Sequence, residues 1–246
     1  MCGRITSTFE FGDLRVRWNL NGDFPMYSRR YNIAPGQISS STENSNQTNA
    51  LPVILRHGGE NTCRLMHWGL IPNWAKDPSV GNRMINARAE SLREKPAFKQ
   101  LVETRRCIVP ADGFYEWRKE AKRKVPMWFH LKSKEPFAFA GLWDTWRKPN
   151  GNSLETFTIV TTDPNELMRP IHNRMPVILC REDEEQWLDV SVARFDKACS
   201  VLKPYPSNQM DAYDVSTIVN KPDNDTTECI QPLLGSEPSA PQLSLL

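Results

Sequence analysis

The stretch GFYEWRKEAKRKVPMWFHLKSKEPFAFAGLW, residues 113–143, decides the fold class. Its apolar and aromatic residues alternate with others over 125–131 and 137–143, and polar segments separate these runs from each other and from 113–118. Alternation with a period of two is typical of β-strands. Together with a fourth run at 155–162, the spacing predicts an antiparallel meander.

Shorter β-type runs and a few short amphipathic segments complete the pattern. Further strands are predicted at 51–56, 63–68, 107–109, 177–179 and 213–219. Helices are predicted at 9–18, 163–168, 182–188 and 191–202, and at 89–104 with a break at Pro96. Strands and helices do not alternate as in a parallel βαβ sheet. The sequence therefore predicts an α+β fold, a mainly antiparallel β-sheet or partly closed barrel with flanking short helices.

The composition is that of a soluble globular protein. The 246 residues are 39% hydrophobic and 24% charged, and the formal net charge is +2. This charge neither requires nor excludes a nucleic-acid partner. We predict one domain over 2–234, with a polar surface loop at 37–50 and a disordered tail at 235–246.

Targeting and cofactor signals are lacking in the sequence. No apolar run reaches membrane-spanning length and no secretion signal is visible, so we expect a cytoplasmic protein with reduced cysteines and no membrane partner. The six cysteines form no C-x-x-C pair and the four histidines are scattered, which argues against a metal site. We expect the protein to act as a monomer without metal or cofactor.

The second residue, Cys2, carries the most specific chemistry. If Met1 is removed, one residue holds both a free α-amine and a β-thiol, whose ordinary pKa values are about 7.7–8.0 and about 8.5. Such a pair condenses with an aldehyde: the amine forms an imine, and addition of the thiol closes a five-membered thiazolidine. An internal cysteine cannot do this, although a cysteine can also fall second without any role.

Three polar positions could support such chemistry. Glu116 is expected on the same strand face as Phe114 among aromatic residues, where a carboxylate is desolvated, unless it points to water at a strand edge. His172 lies in a loop between a predicted helix and a strand, where a histidine can move protons or have no role. Asn86 and Arg88 alternate with alanines, which predicts a polar row on one side of an extended segment or a solvated edge strand.

Tryptophans and arginines recur along the chain. Trp68, Trp74 and Trp117 accompany arginines at 4, 29, 30, 83, 88 and 174. Stacking surfaces with cationic partners are what single-stranded nucleic acid requires, but tryptophans are also common in cores and arginines on solvated surfaces.

Six motifs occur in a fixed order along the chain. They are Cys2-Gly3-Arg4, YNIAPGQ at 31–37, WGLIP at 68–72 followed by Trp74, NARAE at 86–90, PADGFYEW at 110–117 and HNRMP at 172–176. This ordered set resembles the SRAP (SOS response-associated peptidase) family, the abasic-site processing proteins. The resemblance runs from residue 2 to about residue 229, and only 37–50 and the tail differ.

The resemblance implies a function and a set of roles. Family members cross-link covalently to abasic sites in single-stranded DNA, which shields the lesion from strand cleavage. The resemblance implies that Cys2 is the nucleophile after loss of Met1, which can be autocatalytic, and that Asn86 positions its amine. Glu116 would assist proton transfer at Cys2, and His172 would act as general acid or base on the opened deoxyribose. DNA contacts are implied for Arg4, Arg88, Arg174, Trp68, Trp117, Asn32, Pro35 and Met175.

Two alternatives from other classes stay open. An N-terminal-nucleophile peptidase or amidohydrolase could use the Cys2 thiol with its own amine as base. A non-covalent single-strand binder could use tryptophans and arginines alone, and its affinity would fall with salt.

Overall fold

The structure, a computed structural model, describes residues 2–22, 27–36, 50–121, 123–190 and 195–233. Most of the predicted polar loop at 37–50 and the whole predicted tail at 235–246 lie outside these residues. The strands are β1 Ile5–Ser7, β2 Arg30–Ile33, β3 Ala50–His57, β4 Glu60–Trp68, β5 Asn86–Arg88, β6 Arg106–Ala111, β7 Gly113–Glu120, β8 Arg123–Leu131, β9 Phe137–Arg147, β10 Ser153–Thr162, β11 Met175–Pro176, β12 Ile178–Leu179 and β13 Met210–Asp214.

The helices are few and short. They are α1 Phe11–Trp18, α2 Pro96–Lys99, α3 Leu101–Thr104, α4 Glu184–Leu188 and α5 Phe195–Cys199. Single 3-10 turns occur at Pro78–Arg83, Ala89–Ser91, Arg181–Asp183, Ser207–Gln209, Thr217–Asn220 and Thr227–Ile230. Among the described residues, no helix is long and apolar enough to cross a membrane.

Two sheets form the body of the protein. One is antiparallel and has the order β13-β8-β7-β1-β2. In the other, β10 pairs with both β9 and β4, so that β10, β4, β3, β6 and β9 close on themselves as a five-stranded ring. Within the ring, the β10–β4 pairing is parallel and the other pairings are antiparallel. Strand β5 lies outside the ring and pairs with β10 in parallel. The prediction of an α+β fold with a mainly antiparallel, partly closed barrel is confirmed.

The predicted meander is wrong between β8 and β9. Strands β7 and β8 form a hairpin in the first sheet, whereas β9 and β10 form a hairpin in the second. The edges of the first hairpin are occupied by β1 and β13, which come from distant parts of the chain. The chain therefore changes sheet after Leu131.

Other local predictions also need correction. The segment 163–168 does not form the predicted helix: residues 166–170 form turns, and the Asn165 side chain accepts a hydrogen bond from the Met168 amide and donates one to the Tyr205 carbonyl. The strand predicted at 213–219 ends at Asp214, and a 3-10 turn follows. Pro96 divides 89–104 as predicted and begins α2. Within 191–202, the described helix is Phe195–Cys199.

The site lies where the two sheets share a core. Side chains from both sheets, such as Phe114 and Phe157, belong to one buried cluster, and this cluster includes Cys2 and Trp68. Gly113 leaves room for the Trp128 side chain of the neighbouring strand β8, because a Cβ atom at residue 113 would lie 2.2 Å from the Trp128 Nε1 atom. The residues just before β1 are thus enclosed on two sides by apolar strands.

Candidate functional site

Cys2 is completely buried at the start of β1. Burial, and after it the negative charge of Glu116, raises the pKa of the Cys2 thiol far above its usual range. The thiol is therefore neutral at physiological pH. Strand pairing places the two residues near each other along β1 and β7, because Ile5 lies opposite Phe114 and the Tyr115 amide donates to the Arg4 carbonyl.

Asn86 holds the main chain of Cys2. Strand β5 runs parallel to β10, with Asn86 opposite Ile159, and Ala87 is buried in the core. Alternation places Asn86 and Arg88 on the other side of the strand. The Asn86 Nδ2 atom donates a hydrogen bond to the Cys2 carbonyl at 2.7 Å. Its Oδ1 atom is buried and accepts no hydrogen bond from any described residue.

Glu116 and His172 line one cleft of about 650 Å³. Glu116 is 6% exposed in the middle of β7, opposite Met127 of β8. The cleft is also lined by Trp117, Lys119, Lys124, Ile171, Asn173 and Asn220. The two residues come from elements that are far apart in the chain, and the fold brings both to the same cleft.

The backbone of Arg174 offers the His172 ring both a donor and an acceptor. The Arg174 amide nitrogen lies 3.0 Å from His172 Nδ1 and donates to it when the ring proton is on Nε2. The Arg174 carbonyl lies 3.2 Å from the same nitrogen and accepts a hydrogen bond when Nδ1 carries a proton. Both protonation states of His172 therefore find a partner, as proton transfer requires.

The structure connects the four predicted chemical residues as a chain of contacts. Asn86 binds the Cys2 backbone, Glu116 acts on the Cys2 thiol, and Glu116 shares the cleft with His172. Their assigned roles stay predictions. Among the described residues, no group of His, Cys, Asp and Glu side chains is arranged to hold a metal ion.

Arg4 and Trp117 form one wall of the site. The Arg4 guanidinium lies 5.7 Å from the centre of the Trp117 ring, and burial lowers the pKa of Arg4. Arg4 Nη1 donates to the Asn32 Oδ1 atom at 2.6 Å and to the Val219 carbonyl at 2.7 Å. Trp117 Nε1 donates to Asn220 Oδ1 at 2.8 Å. The 3-10 turn at Thr217–Asn220 thus fixes both side chains.

Three of the predicted DNA contacts are buried instead. Asn32, Trp68 and Met175 are at most 1% exposed. Asn32 Nδ2 lies 2.7–3.1 Å from the carbonyls of Val219, Lys221 and Asn224. Trp68 Nε1 donates to the Ile85 carbonyl, next to Asn86. In this structure these three side chains pack inside the protein and do not present a surface to DNA.

The remaining predicted contacts differ in how available they are. Arg88 is exposed, and Pro35 is half-buried. Arg174 is 9% exposed, and its guanidinium pairs with both oxygens of Glu90 at 2.9 Å and lies 3.0 Å from Asp163. Its charge is thus already balanced by two carboxylates.

Sequence reasoning missed the partners that come from the end of the chain. Asn220 lines the cleft and orients Trp117, but no local pattern marks it. Lys119 and Lys124 also line the cleft. The signal for Lys119 was present, since it lies two residues after Trp117 and so on the same strand face.

This is an α+β protein whose second residue is a buried cysteine held by the amide of Asn86, and Glu116 and His172 line one cleft. Residues 1–222 match the SOS response associated peptidase (SRAP) family, and the chain belongs to it. The resemblance expected from the ordered motifs is thereby confirmed.

Relatives with similar names occur in bacteria and in vertebrates. The chain is 47% identical over 234 residues to the abasic site processing protein YoqW of Bacillus subtilis (strain 168), which covers 94% of this chain and 99% of YoqW. It is 30% identical over 289 residues to the abasic site processing protein HMCES of Xenopus tropicalis, which covers 99% of this chain and 82% of HMCES. A crystal structure of a Bacteroides thetaiotaomicron protein superposes with a TM-score of 0.81 at 31% identity, and covers 94% of this chain and 100% of that one.

Proposed function

We propose that this chain senses abasic sites in single-stranded DNA and links to them covalently through Cys2 once Met1 has been removed. The names of its relatives support abasic-site processing. One observation of this structure carries the covalent step. Asn86 grips the Cys2 carbonyl while its buried Oδ1 atom accepts no hydrogen bond from a described residue, which suits a ligand with N–H donors such as a free α-amine.

The chemistry balances with the groups present. The Cys2 amine adds to the C1′ aldehyde of the ring-opened sugar, and loss of water leaves an imine. The thiol sulfur then bonds to the imine carbon while its proton goes to the nitrogen, so that a thiazolidine forms. Because burial keeps the thiol neutral, its proton must move during this addition, and the nearby Glu116 carboxylate is the group that can relay it.

His172 would act on the sugar rather than on the cysteine. The protonated ring can donate an N–H proton to the ring oxygen as the sugar opens, which leaves a neutral imidazole. Ring closure by the thiol consumes the imine, which would otherwise lead to β-elimination and strand cleavage. The product would protect the DNA strand.

The test is adduct formation on a denaturing gel. The protein is incubated with a single-stranded oligonucleotide that contains one abasic site, and its intact mass is measured to establish whether Met1 is absent. We expect a heat-stable adduct that Cys2→Ala loses. The matched control is Cys180→Ala, which removes a thiol outside the cleft and should keep the adduct. An identical adduct with Cys2→Ala would refute the proposal.

Turnover separates cross-linking from the peptidase alternative, because both reactions require the Cys2 sulfur to lose its proton. A peptidase would release product with turnover, whereas a cross-linker stays bound to its DNA. A non-covalent binder would keep its affinity in Cys2→Ser.

A further inference from the structure

The hairpin of β7 and β8 carries two lysines at the edge of the cleft. Lys119 and Lys124 are directly opposite each other in register, both are exposed, and both line the cleft with Glu116 and His172. Directly opposite residues of an antiparallel pair have Cβ atoms about 4.5–5.5 Å apart, where like charges destabilise strand pairing. An anion bound between the two lysines would remove this repulsion.

The arginines of the same hairpin are neutralised, but the lysines are not. Arg118 pairs with Asp214 and Glu120, and Arg123 pairs with Glu120. In the part of the chain that the structure describes, neither Lys119 nor Lys124 forms an ion pair. Among the described residues, Glu120 and Asp214 therefore neutralise the arginines on one face of the hairpin, and the two lysines on the other face have no carboxylate partner.

The face that carries the lysines is also the face of Trp117. Trp117 and Lys119 are two residues apart, which places them about 7 Å apart along the strand on the same side. Trp117 is held by Asn220 and stacks near Arg4. An aromatic ring beside two free cations is the arrangement that binds a base and the neighbouring backbone phosphates of a single strand.

We propose that Lys119 and Lys124 form a phosphate-binding subsite for the DNA strand where it leaves the cleft past Trp117. The inference rests on the proposed function, because that function places DNA in the cleft. It adds a binding element that neither the sequence motifs nor the predicted site residues contain.

The test is the salt dependence of DNA binding. Affinity for a single-stranded oligonucleotide without an abasic site is measured between about 0.05 and 0.4 M KCl, so that no covalent step enters. Each neutralised phosphate contributes about 0.7 to the slope of log affinity against log salt. The double variant Lys119→Gln/Lys124→Gln should therefore lower the slope by about 1.4. If the wild-type protein and the double variant have equal affinities at 1 M salt, the double variant should bind about tenfold more weakly than the wild type at 0.2 M.

Three controls keep the result specific. Lys95→Gln/Lys99→Gln removes two exposed lysines at helix α2, outside the cleft, and should leave the slope unchanged. Lys119→Arg/Lys124→Arg keeps the charges and should retain the wild-type slope. Each single glutamine variant should lower the slope by about 0.7. A slope that is unchanged in the double glutamine variant, or lowered equally by the α2 variant, overturns the proposal.

Failure of this inference differs from failure of the proposed function. If the wild-type protein forms no adduct with an abasic oligonucleotide but the lysine variants lower the salt slope, the covalent function is wrong and the subsite stands. If the adduct forms and the slope does not depend on these lysines, the subsite is wrong and the covalent function stands.

Discussion

Replacing Asn32 with alanine tests whether this residue stabilises the fold or contacts DNA. Its Nδ2 atom lies within 3.1 Å of three carbonyls, but two N–H groups can make only two full bonds at once. Each neutral bond contributes about 1 kcal/mol, and the bond accepted from the Arg4 guanidinium contributes about 2 kcal/mol. Asn32→Ala should therefore lower the free energy of unfolding by about 4 kcal/mol.

The assay is urea unfolding, compared with DNA affinity measured at low urea. Asn208→Ala is the matched control, since Asn208 is exposed, and it should change stability by less than about 0.5 kcal/mol. The loss in Asn32→Ala should appear as a lower midpoint with the same slope. If Asn32→Ala loses less than about 1 kcal/mol while DNA binding collapses, the side chain acts on DNA directly and the reasoning is refuted.

Three further outcomes follow from the site and its surroundings. Asn86→Ala should slow single-turnover cross-linking by about 10- to 100-fold, because it removes about 1.4–3 kcal/mol of hydrogen bonding to Cys2. A rate within twofold of the wild-type rate would contradict this prediction. The free energy of unfolding should fall above pH 9 by about 1.4 kcal/mol per pH unit for each buried thiol. The reason is that burial raises the pKa of Cys63 to about 12 and raises those of Cys2 and Cys107 well above their usual range, so that only the unfolded chain ionises. Urea titrations that are flat from pH 7 to 11 would exclude it. Gly113→Ala should destabilise the protein by more than about 1 kcal/mol in thermal melts, because the alanine Cβ atom would overlap the Trp128 ring. An unchanged melting temperature would show that the ring moves freely.

The strands could be predicted from the sequence because their signal is local. Alternation over 125–131 predicted β8, which begins two residues earlier, at Arg123, and ends at Leu131 as predicted. Alternation over 137–143 predicted β9, which begins at Phe137 as predicted and ends four residues later, at Arg147. Their partners could not be predicted, since β8 pairs with β13 and β10 with β4, and nothing in a strand's own residues specifies a partner 80 or more residues away.

The roles of Cys2, Asn86, Glu116 and His172 stay predictions; the structure places Asn86 at the Cys2 carbonyl, and Glu116 and His172 in one cleft. Burial could not be predicted from the motifs, because an asparagine in a motif does not reveal which carbonyls its amide will contact. Asn32 contacts three carbonyls from residues 219–224. The Lys119–Lys124 juxtaposition depends on hairpin register and was likewise beyond the motif pattern.

The attachment of the first strands to the last turns has a consequence for synthesis in the cell. Arg4 binds the Val219 carbonyl, and Asp225 accepts hydrogen bonds from Arg30 and from the Tyr31 and Asn32 amides. A ribosome that has made only the first 200 residues carries a chain in which Arg4 and Asn32 lack these partners. The first strands are thus translated early, but their attachment is completed only after residues 219–225 have been made.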